Sequence, residues 1–337
     1  MKFINEIKLF IAVTCIIIPF VLYAVFSNYA ETPTDNLNRS VTIEIPKGAS
    51  FSNVTAILEK ENLIKHKKSF YLLARLKDAP THIRAGEYDL NSSMSPADII
   101  NKLIKGKIKG HYVLIPEGFN ISQIAARLTS MELVNEEKFI EIASDPEFVS
   151  SLGIQGSSVE GYLFPDTYIL SRSMDTKEII KFMVTRFRQK VTPDMIQRAK
   201  ELGFTTKEFV TLASIIEKEG GPKEERALIS AVFHNRLKKG IKLQSDPTVI
   251  YGIKGFDGNI KRKHLREKTP YNTYRIKGLP PGPISNPGMD SLLAALYPAS
   301  VDYLFFVSKN NGTHYFSSDL TSHNKAVLKY QIKRRKR

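Results

Sequence analysis

The chain has 337 residues, 42% of them apolar and 25% charged, a composition that fits one or two ordinary globular domains and excludes disorder and collagen. Its single cysteine, Cys15, rules out an intramolecular disulfide framework and a cysteine-ligated metal site. A net charge of +15 first suggests a nucleic-acid ligand, but the segment Lys254 to Lys277 holds a net +6 of it and the end from Lys325 to Arg337 another +7. Excess confined to two segments names no partner, and a basic end such as 331–337 is most simply a solvated tail.

In chain order, Leu9 to Phe26 is eighteen residues without a formal charge, enough to cross a hydrocarbon core as a helix. Lys2 and Lys8 precede it, and Glu31 and Asp35 are the first charges after it. The positive-inside rule therefore predicts a cytoplasmic tail at 1–8, a single-pass anchor at 9–27 in the inner membrane, and the rest of the chain in the periplasm or outside. Cys15 reads as an ordinary residue inside the span. A cleaved signal peptide is the competing reading; its apolar region would be unusually long, and no small-x-small site follows. With this topology the basic segments lie away from the cytoplasm, so no nucleic-acid partner is expected.

Residues 28–40 are polar, contain Pro33 and lack periodicity, which predicts a linker. An internal repeat follows: Ile43-Glu-Ile-Pro-Lys-Gly48 with Ser52, Ala56, Leu58 and Leu63 recurs as Val113-Leu-Ile-Pro-Glu-Gly118 with Ser122, Ala126, Leu128 and Leu133. Each copy reads strand, turn, helix, with a serine opening the turn. A second helix ending near Arg75, a strand around Glu87 to Leu90 and a helix from Pro96 to Ile104 complete a small α+β module over 41–110. Such modules most often serve as packed spacers, although βααβ modules of the LysM type bind glycan.

From 111 to 330 the pattern is mainly helical. Asp175-x-x-Glu178 is a capping box ahead of the stripe Ile179, Ile180, Met183, Val184 and Phe187; Thr205-x-x-Glu208 opens a second helix that Gly220-Gly221-Pro222 stops. At about 100° per residue, Glu219 falls back among Phe209, Leu212 and Ile216 on the apolar face, whereas Glu217 falls on an edge predicted to reach water. Desolvation and the helix C-terminal carbonyls both disfavour charge on Glu219, the profile of a general acid. Geometry alone leaves open that Glu219 is an ion-paired structural residue. The seven histidines include no His-Glu-x-x-His and none at i, i+4, so neither a metal nor another cofactor is expected.

The chain resembles the endolytic murein transglycosylase (MltG, YceG-like) family from Lys2 to Lys329. The resemblance rests on Val159-Glu-Gly-Tyr-Leu-Phe-Pro-Asp-Thr-Tyr168, Leu212-Ala-Ser-Ile-Ile-Glu-Lys-Glu219, Val232-Phe-His-Asn-Arg-Leu237, Leu243-Gln-Ser-Asp-Pro-Thr-Val-Ile-Tyr251, Tyr271-Asn-Thr-Tyr274 and Gly278-Leu-Pro-Pro-Gly-Pro-Ile284. Asn286-Pro-Gly288, His314-Tyr-Phe316 and His323-Asn324 complete it. It implies that Glu219 is the catalytic residue. It also implies cleavage of the MurNAc-β-1,4-GlcNAc bond within glycan strands, the muramic acid 6-hydroxyl displacing the leaving sugar to give 1,6-anhydro ends, and a role in terminating nascent strands during cell-wall growth. One carboxyl then protonates the leaving oxygen and later accepts the 6-hydroxyl proton, where ordinary glycosidases need two. Peptidoglycan strands and membrane peptidoglycan synthases are the implied partners. Lytic enzymes of this class often carry Ser or Thr after the glutamate; Gly220 stands there, so hydroxyl assistance at that position is expected to be absent.

Weaker candidates for substrate contact are Glu160, Tyr162, Asn235, Gln244, Asp246, Tyr251, Asn272, Tyr274, His314 and His323, each with a structural alternative. Asp246-Pro247 suits a turn, Asn235 with Arg236 a helix-to-helix tie, Glu160 a salt bridge, and His314 with His323 packed histidines behind the Asn311-Gly312 turn of a hairpin. The expected fold class is α+β: one transmembrane helix, a small LysM-like α+β module, and a mixed, mainly helical catalytic domain. The reading from another class is a membrane-anchored peptidoglycan-binding scaffold without catalysis.

Overall fold

The computed structural model describes residues 2–253, 255–256 and 258–332, without the side chains of residues 2–6, 9 and 12. The basic tail at 333–337 and Lys254 and Asp257 of the basic segment lie outside the described residues. The fold is mixed α and β and mostly helical, with two compact units: Met1–His111 with Ile169–Met174, and Tyr112–Tyr168 with Asp175–Arg337.

The first unit opens with α1 (Lys2–Glu31), whose stretch Val13–Glu31 has a mean hydropathy of 1.8, apolar and long enough to cross a membrane. Its large side chains point outward: Phe10, Ile16 and Phe20 are each about 70% exposed. After α1 the backbone is held rather than free. The Thr34 hydroxyl donates to the Leu63 carbonyl at 2.9 Å and Arg39 N–H to Ser92 Oγ at 3.1 Å, so the predicted linker is docked over much of its length. Strands β1 (Ser40–Ile45) and β2 (Gly86–Asn91) pair antiparallel, Ile43 opposite Tyr88. Alternation along β1 buries Val41, Ile43 and Ile45, and α2 (Phe51–Lys60), α3 (Lys67–Leu76) and α4 (Pro96–Ile104) cover that face with Leu58, Phe70 and Ile100. The chain order of this sheet and its first two helices is β-α-α-β. Ser50 caps α2 and Asn120 caps the matching helix of the second repeat; Ser52 and Ser122 sit one position inside. Each serine expected to open the turn thus lies already within the first turn of its helix.

The second unit takes residues 112–114 of β3 (His111–Leu114) and 167–168 of β4 (Thr167–Leu170), strands that pair with each other, and between them α5 (Ile121–Thr129), α6 (Glu136–Ala143) and α7 (Pro146–Ser151). Helices α8 (Thr176–Lys190), α9 (Pro193–Glu201), α10 (Thr206–Glu219) and α11 (Arg226–Lys238) follow, then the short α12 (Asp246–Tyr251) and α13 (Arg262–Arg266), and α14 (Met289–Leu296). A hairpin of β5 (Phe305–Ser308) and β6 (His314–Ser317) leads into α15 (Leu320–Val327). The centre is α10. Phe209, Leu212, Ile215 and Ile216 are buried, and the helix packs on α14 and touches α9, α11 and α12. Both predicted capping boxes form. Gly161 lets the backbone approach α10: at φ +87°, an added Cβ would lie 2.6 Å from Pro283 and 2.9 Å from Val210.

Candidate active site

Helix α10 ends on Glu219 because Gly220 and Gly221 take φ of +74° and +95°, turning the chain away before another helical turn can form. The carboxyl thereby faces a cleft of about 430 Å³. Arg236 on α11 and Leu243, Gln244 and Asp246 before and at the start of α12 form one part of its lining; Tyr274, Phe305, Phe306, Leu320, His323 and Asn324 form the rest.

Burial pushes the Glu219 carboxyl up to about 7, and the Asp246 carboxylate adds to the rise, while the Ser245 hydroxyl bond and the Arg236 charge pull the other way. Ser245 Oγ donates to Glu219 Oε1 at 2.5 Å. A hydroxyl does therefore bond this glutamate, from a distant segment rather than the adjacent residue. Gly220 explains the arrangement: φ +74° with ψ −162° is a conformation essentially reserved for glycine, so a serine there would be strained. Gly220→Ser is expected to cost about 1–3 kcal/mol of stability, read as a lowered melting temperature, although no atom lies within 4 Å of its added Cβ.

Arg236 is buried but is not an ion-pair partner of Glu219. Its Nε donates to the Leu304 carbonyl at 2.7 Å, its Nη1 to the Lys242 and Leu243 carbonyls at 3.0 and 2.9 Å, and its guanidinium lies over the Phe305 ring. It fastens the strand and loop that line the cleft, and its charge reaches Glu219 through space. Nη1 also donates to Gln244 Oε1 at 3.2 Å, and the Gln244 backbone takes a φ of +53°. Tyr274 donates its hydroxyl to Asp246 Oδ1 at 2.7 Å. The His323 ring stacks on Phe305, centroids 5.1 Å apart, and burial lowers its pKa; its buried Nδ1 has no hydrogen-bond partner among the described residues.

Of the weaker candidates, Gln244, Asp246, Tyr274 and His323 thus join Glu219, and the other six do not line this cleft. Asn235 Nδ2 donates to the Val301 and Tyr303 carbonyls at 2.9 and 3.0 Å, a tie between helix and loop. Asn272 is fully buried, its amide donating to the carbonyls of His264, Leu265 and Glu267. Tyr162 is core, edge-on to Phe187. Glu160 is buried without a salt bridge among the described residues: its carboxyl accepts from Ile121 N–H, Tyr251 hydroxyl and Asn286 Nδ2 at 3.2, 3.2 and 3.0 Å, and burial raises its pKa to about 7. That network also occupies Tyr251. His314 Nδ1 bonds Glu225 Oε2 at 2.8 Å. Asp246-Pro247 opens α12 rather than an isolated turn.

Glu217 is the clear departure. Its side chain is only 6% exposed, ion-paired to Arg226 Nη2 at 3.3 Å and accepting the Gly288 N–H at 3.0 Å, so the edge predicted to reach water is covered by the segment leading into α14. Helical periodicity places a side chain around its own axis; it carries no information on what packs there.

Ser245 was missing from the candidates, since a lone serine before Asp-Pro has no periodic or spacing signal; only its inclusion in the motif Leu243 to Tyr251 pointed toward it. Phe305 and Leu320 were missing for the same reason, being apolar residues of ordinary strand and helix positions.

A glutamate of raised pKa at a helix end, hydrogen-bonded by a hydroxyl and open to a polar and aromatic cleft, is a setting for proton transfer to a bound polar ligand. The chain belongs to the YceG-like family, whose model matches residues 43–329. It is 36% identical over 308 residues to the endolytic murein transglycosylase of Bacillus subtilis (strain 168), covering 86% of this chain and 85% of that protein. It is 30% identical over 327 residues to the endolytic murein transglycosylase of Streptococcus pneumoniae serotype 2 (strain D39 / NCTC 7466), covering 88% of this chain but 59% of the longer relative. The crystal structure of a YceG-like protein from Listeria monocytogenes superposes with a TM-score of 0.60 at 34% identity, covering 86% of this chain and 99% of that one.

Proposed function

We propose that the protein is an endolytic peptidoglycan lytic transglycosylase that cuts the MurNAc-β-1,4-GlcNAc bond inside glycan strands and leaves 1,6-anhydro-MurNAc ends. The observation that carries the mechanism is the Glu219 carboxyl with its pKa raised to about 7 at the cleft. Protonated, Glu219 gives its proton to the glycosidic oxygen as the bond breaks. The carboxylate so formed takes the proton of the muramic acid 6-hydroxyl as that oxygen closes on the anomeric carbon, and the proton on Glu219 is restored. Ser245 supports the carboxylate stage by donating to Oε1, and Gln244, Asp246, Tyr274, His323 and Asn324 offer polar groups to sugar hydroxyls and acetamides.

Ser245→Ala removes a bond that favours the ionised form, so the pKa of Glu219 rises. Because the donor is the protonated acid, wild-type kcat/KM is expected to fall as pH rises through about 7, and the descending limb of Ser245→Ala to lie at higher pH. A pH profile of fragment release checks both; a serine that merely held the loop would leave the limb in place.

Asp246 is a second carboxylate in the cleft and favours one alternative chemistry, hydrolysis by an acid and a base. Mass spectrometry of a glycan-strand digest separates the two: anhydro ends support the transglycosylase, reducing ends the hydrolase, and intact strands the non-catalytic scaffold.

In the same reading α1 crosses the cytoplasmic membrane once with its amino terminus in the cytoplasm, and both units face the cell wall. The β-α-α-β arrangement supports a LysM-like glycan contact by the first unit, which would hold the enzyme near membrane peptidoglycan synthases and their nascent strands. A phosphatase fused after Arg337 is expected to be active; activity of a cytoplasmic reporter alone at that point would refute the topology.

A further inference from the structure

The first unit carries a surface that neither the cleft chemistry nor the anchor explains. From Lys65 to Lys77 the chain has five lysines and arginines, with His66, and no acid. Helix α3 turns Phe70, Leu73 and Ala74 into the core, which leaves Leu72 and Leu76 on the opposite face, 50% and 70% exposed. Helix spacing sets Lys68 one turn before Leu72 and Arg75 beside Leu76, so two leucines are flanked by basic side chains on the outward face. Two leucines one turn apart with cationic side chains beside them have the make-up of a helix face that meets a membrane interface.

The position of the stripe agrees with this. A groove of about 610 Å³ joins α3 to the last turns of α1: Leu22, Val25 and Phe26 of α1 line it, and so do Lys65 and, from α3, Ser69 and Leu72. Tyr29 hydroxyl donates to the His66 carbonyl at 3.1 Å, fixing the two elements to each other. If α1 spans the bilayer, as in the function proposed above, Leu22 to Phe26 lie among acyl chains just below the outer interface, and the groove opens at headgroup level. We propose that α3 is an interfacial helix that binds anionic phospholipid of the same membrane, with Lys65, Lys68 and Arg75 on the phosphates and Leu72 and Leu76 in the acyl boundary. Apolar stems with cationic ends suit that boundary, and a phospholipid supplies both of the chemistries the groove and its edge present. The first unit is then held flat at the membrane surface beyond the single tether of α1.

The test uses the full chain in a Cys15→Ser background, labelled with an environment-sensitive fluorophore at Leu76→Cys or, separately, at Ile16→Cys. Each is reconstituted into vesicles whose acyl chains carry bromine quenchers. In phosphatidylethanolamine with phosphatidylglycerol, the label at 76 is expected to be quenched. Quenching is expected to be about fivefold weaker in phosphatidylcholine alone, or when Lys68→Glu and Arg75→Glu are added, and to fade as salt rises. An unquenched label at 76 beside a quenched label at 16 overturns the proposal and leaves the anchor standing; it would point to a protein cover for the leucines. Equal quenching in both lipids overturns the recognition of anionic headgroups. An unquenched label at 16 removes the membrane anchor and the proposal with it.

Discussion

Glu219→Gln is expected to reduce the release of anhydro-ended glycan fragments by roughly 10²- to 10⁴-fold, the usual share of general acid-base catalysis. The amide keeps the shape of the side chain and can still meet Ser245, but it can neither give a proton to the leaving oxygen nor take one from the 6-hydroxyl. Binding to glycan strands should persist, so the loss appears in kcat rather than KM. Near-normal turnover by a folded variant would remove Glu219 from the mechanism. The same substitution has a signed effect on stability. The folded-state pKa is raised from the usual 4.5 to about 7, so the folded protein holds this proton more tightly than the unfolded chain, and the stability it confers is present at low pH and lost as pH rises through that window. Relative to wild type, Glu219→Gln should therefore melt higher at pH 8 than at pH 5, by an amount on the order of 1–3 kcal/mol when referred to free energy.

Glu217→Gln is expected to behave in the opposite way, losing stability and keeping chemistry. Its carboxylate pairs with Arg226, a largely buried side chain only 14% exposed, and accepts the Gly288 N–H at the start of α14. Charged hydrogen bonds of this kind contribute about 1.5–3 kcal/mol. Glu117 and Asp290, 3.7 and 3.9 Å from Arg226, keep the loss from growing larger. A fall of about 2–3 kcal/mol in chemical denaturation, with kcat retained by the fraction that stays folded, is the expected result. A collapse of turnover in a Glu217→Gln protein of wild-type stability would mean that the two glutamates have been assigned the wrong way round.

Local signals in the chain were enough to locate Glu219. The capping box at Thr205 fixed where α10 begins, Gly220 and Gly221 fixed where it stops, and a period of 3.6 residues carried the carboxyl back to the apolar face. The two capping boxes, the β5–β6 hairpin, the α4 helix and the long apolar α1 were readable for the same reason: each is decided by residues within a few positions of one another. Polar side chains in loops were a different matter. Asn235, Asn272 and Glu160 looked as able to grip a sugar as Gln244 or Asp246, and their composition and spacing held nothing to separate them. Backbone carbonyls and, for Glu160, the Asn286 side-chain amide, brought from 5 to 126 residues away, claimed the first three, whereas the other two opened onto the cleft.

The contrast between the two glutamates of α10 is the plainest case. Both lie within one turn of the same helix, and their angle about its axis follows from covalent geometry alone. Whether that direction meets water, Arg226 and the Gly288 amide, or the Ser245 hydroxyl depends on segments that approach only after the chain has closed on itself. Residue order therefore settled which side chains share a face. Their hydration and hydrogen bonding, and with them the raised pKa of Glu219, came from the packing of α11, α12 and α14 around that face, because solvation is a property of everything nearby rather than of neighbours in the chain.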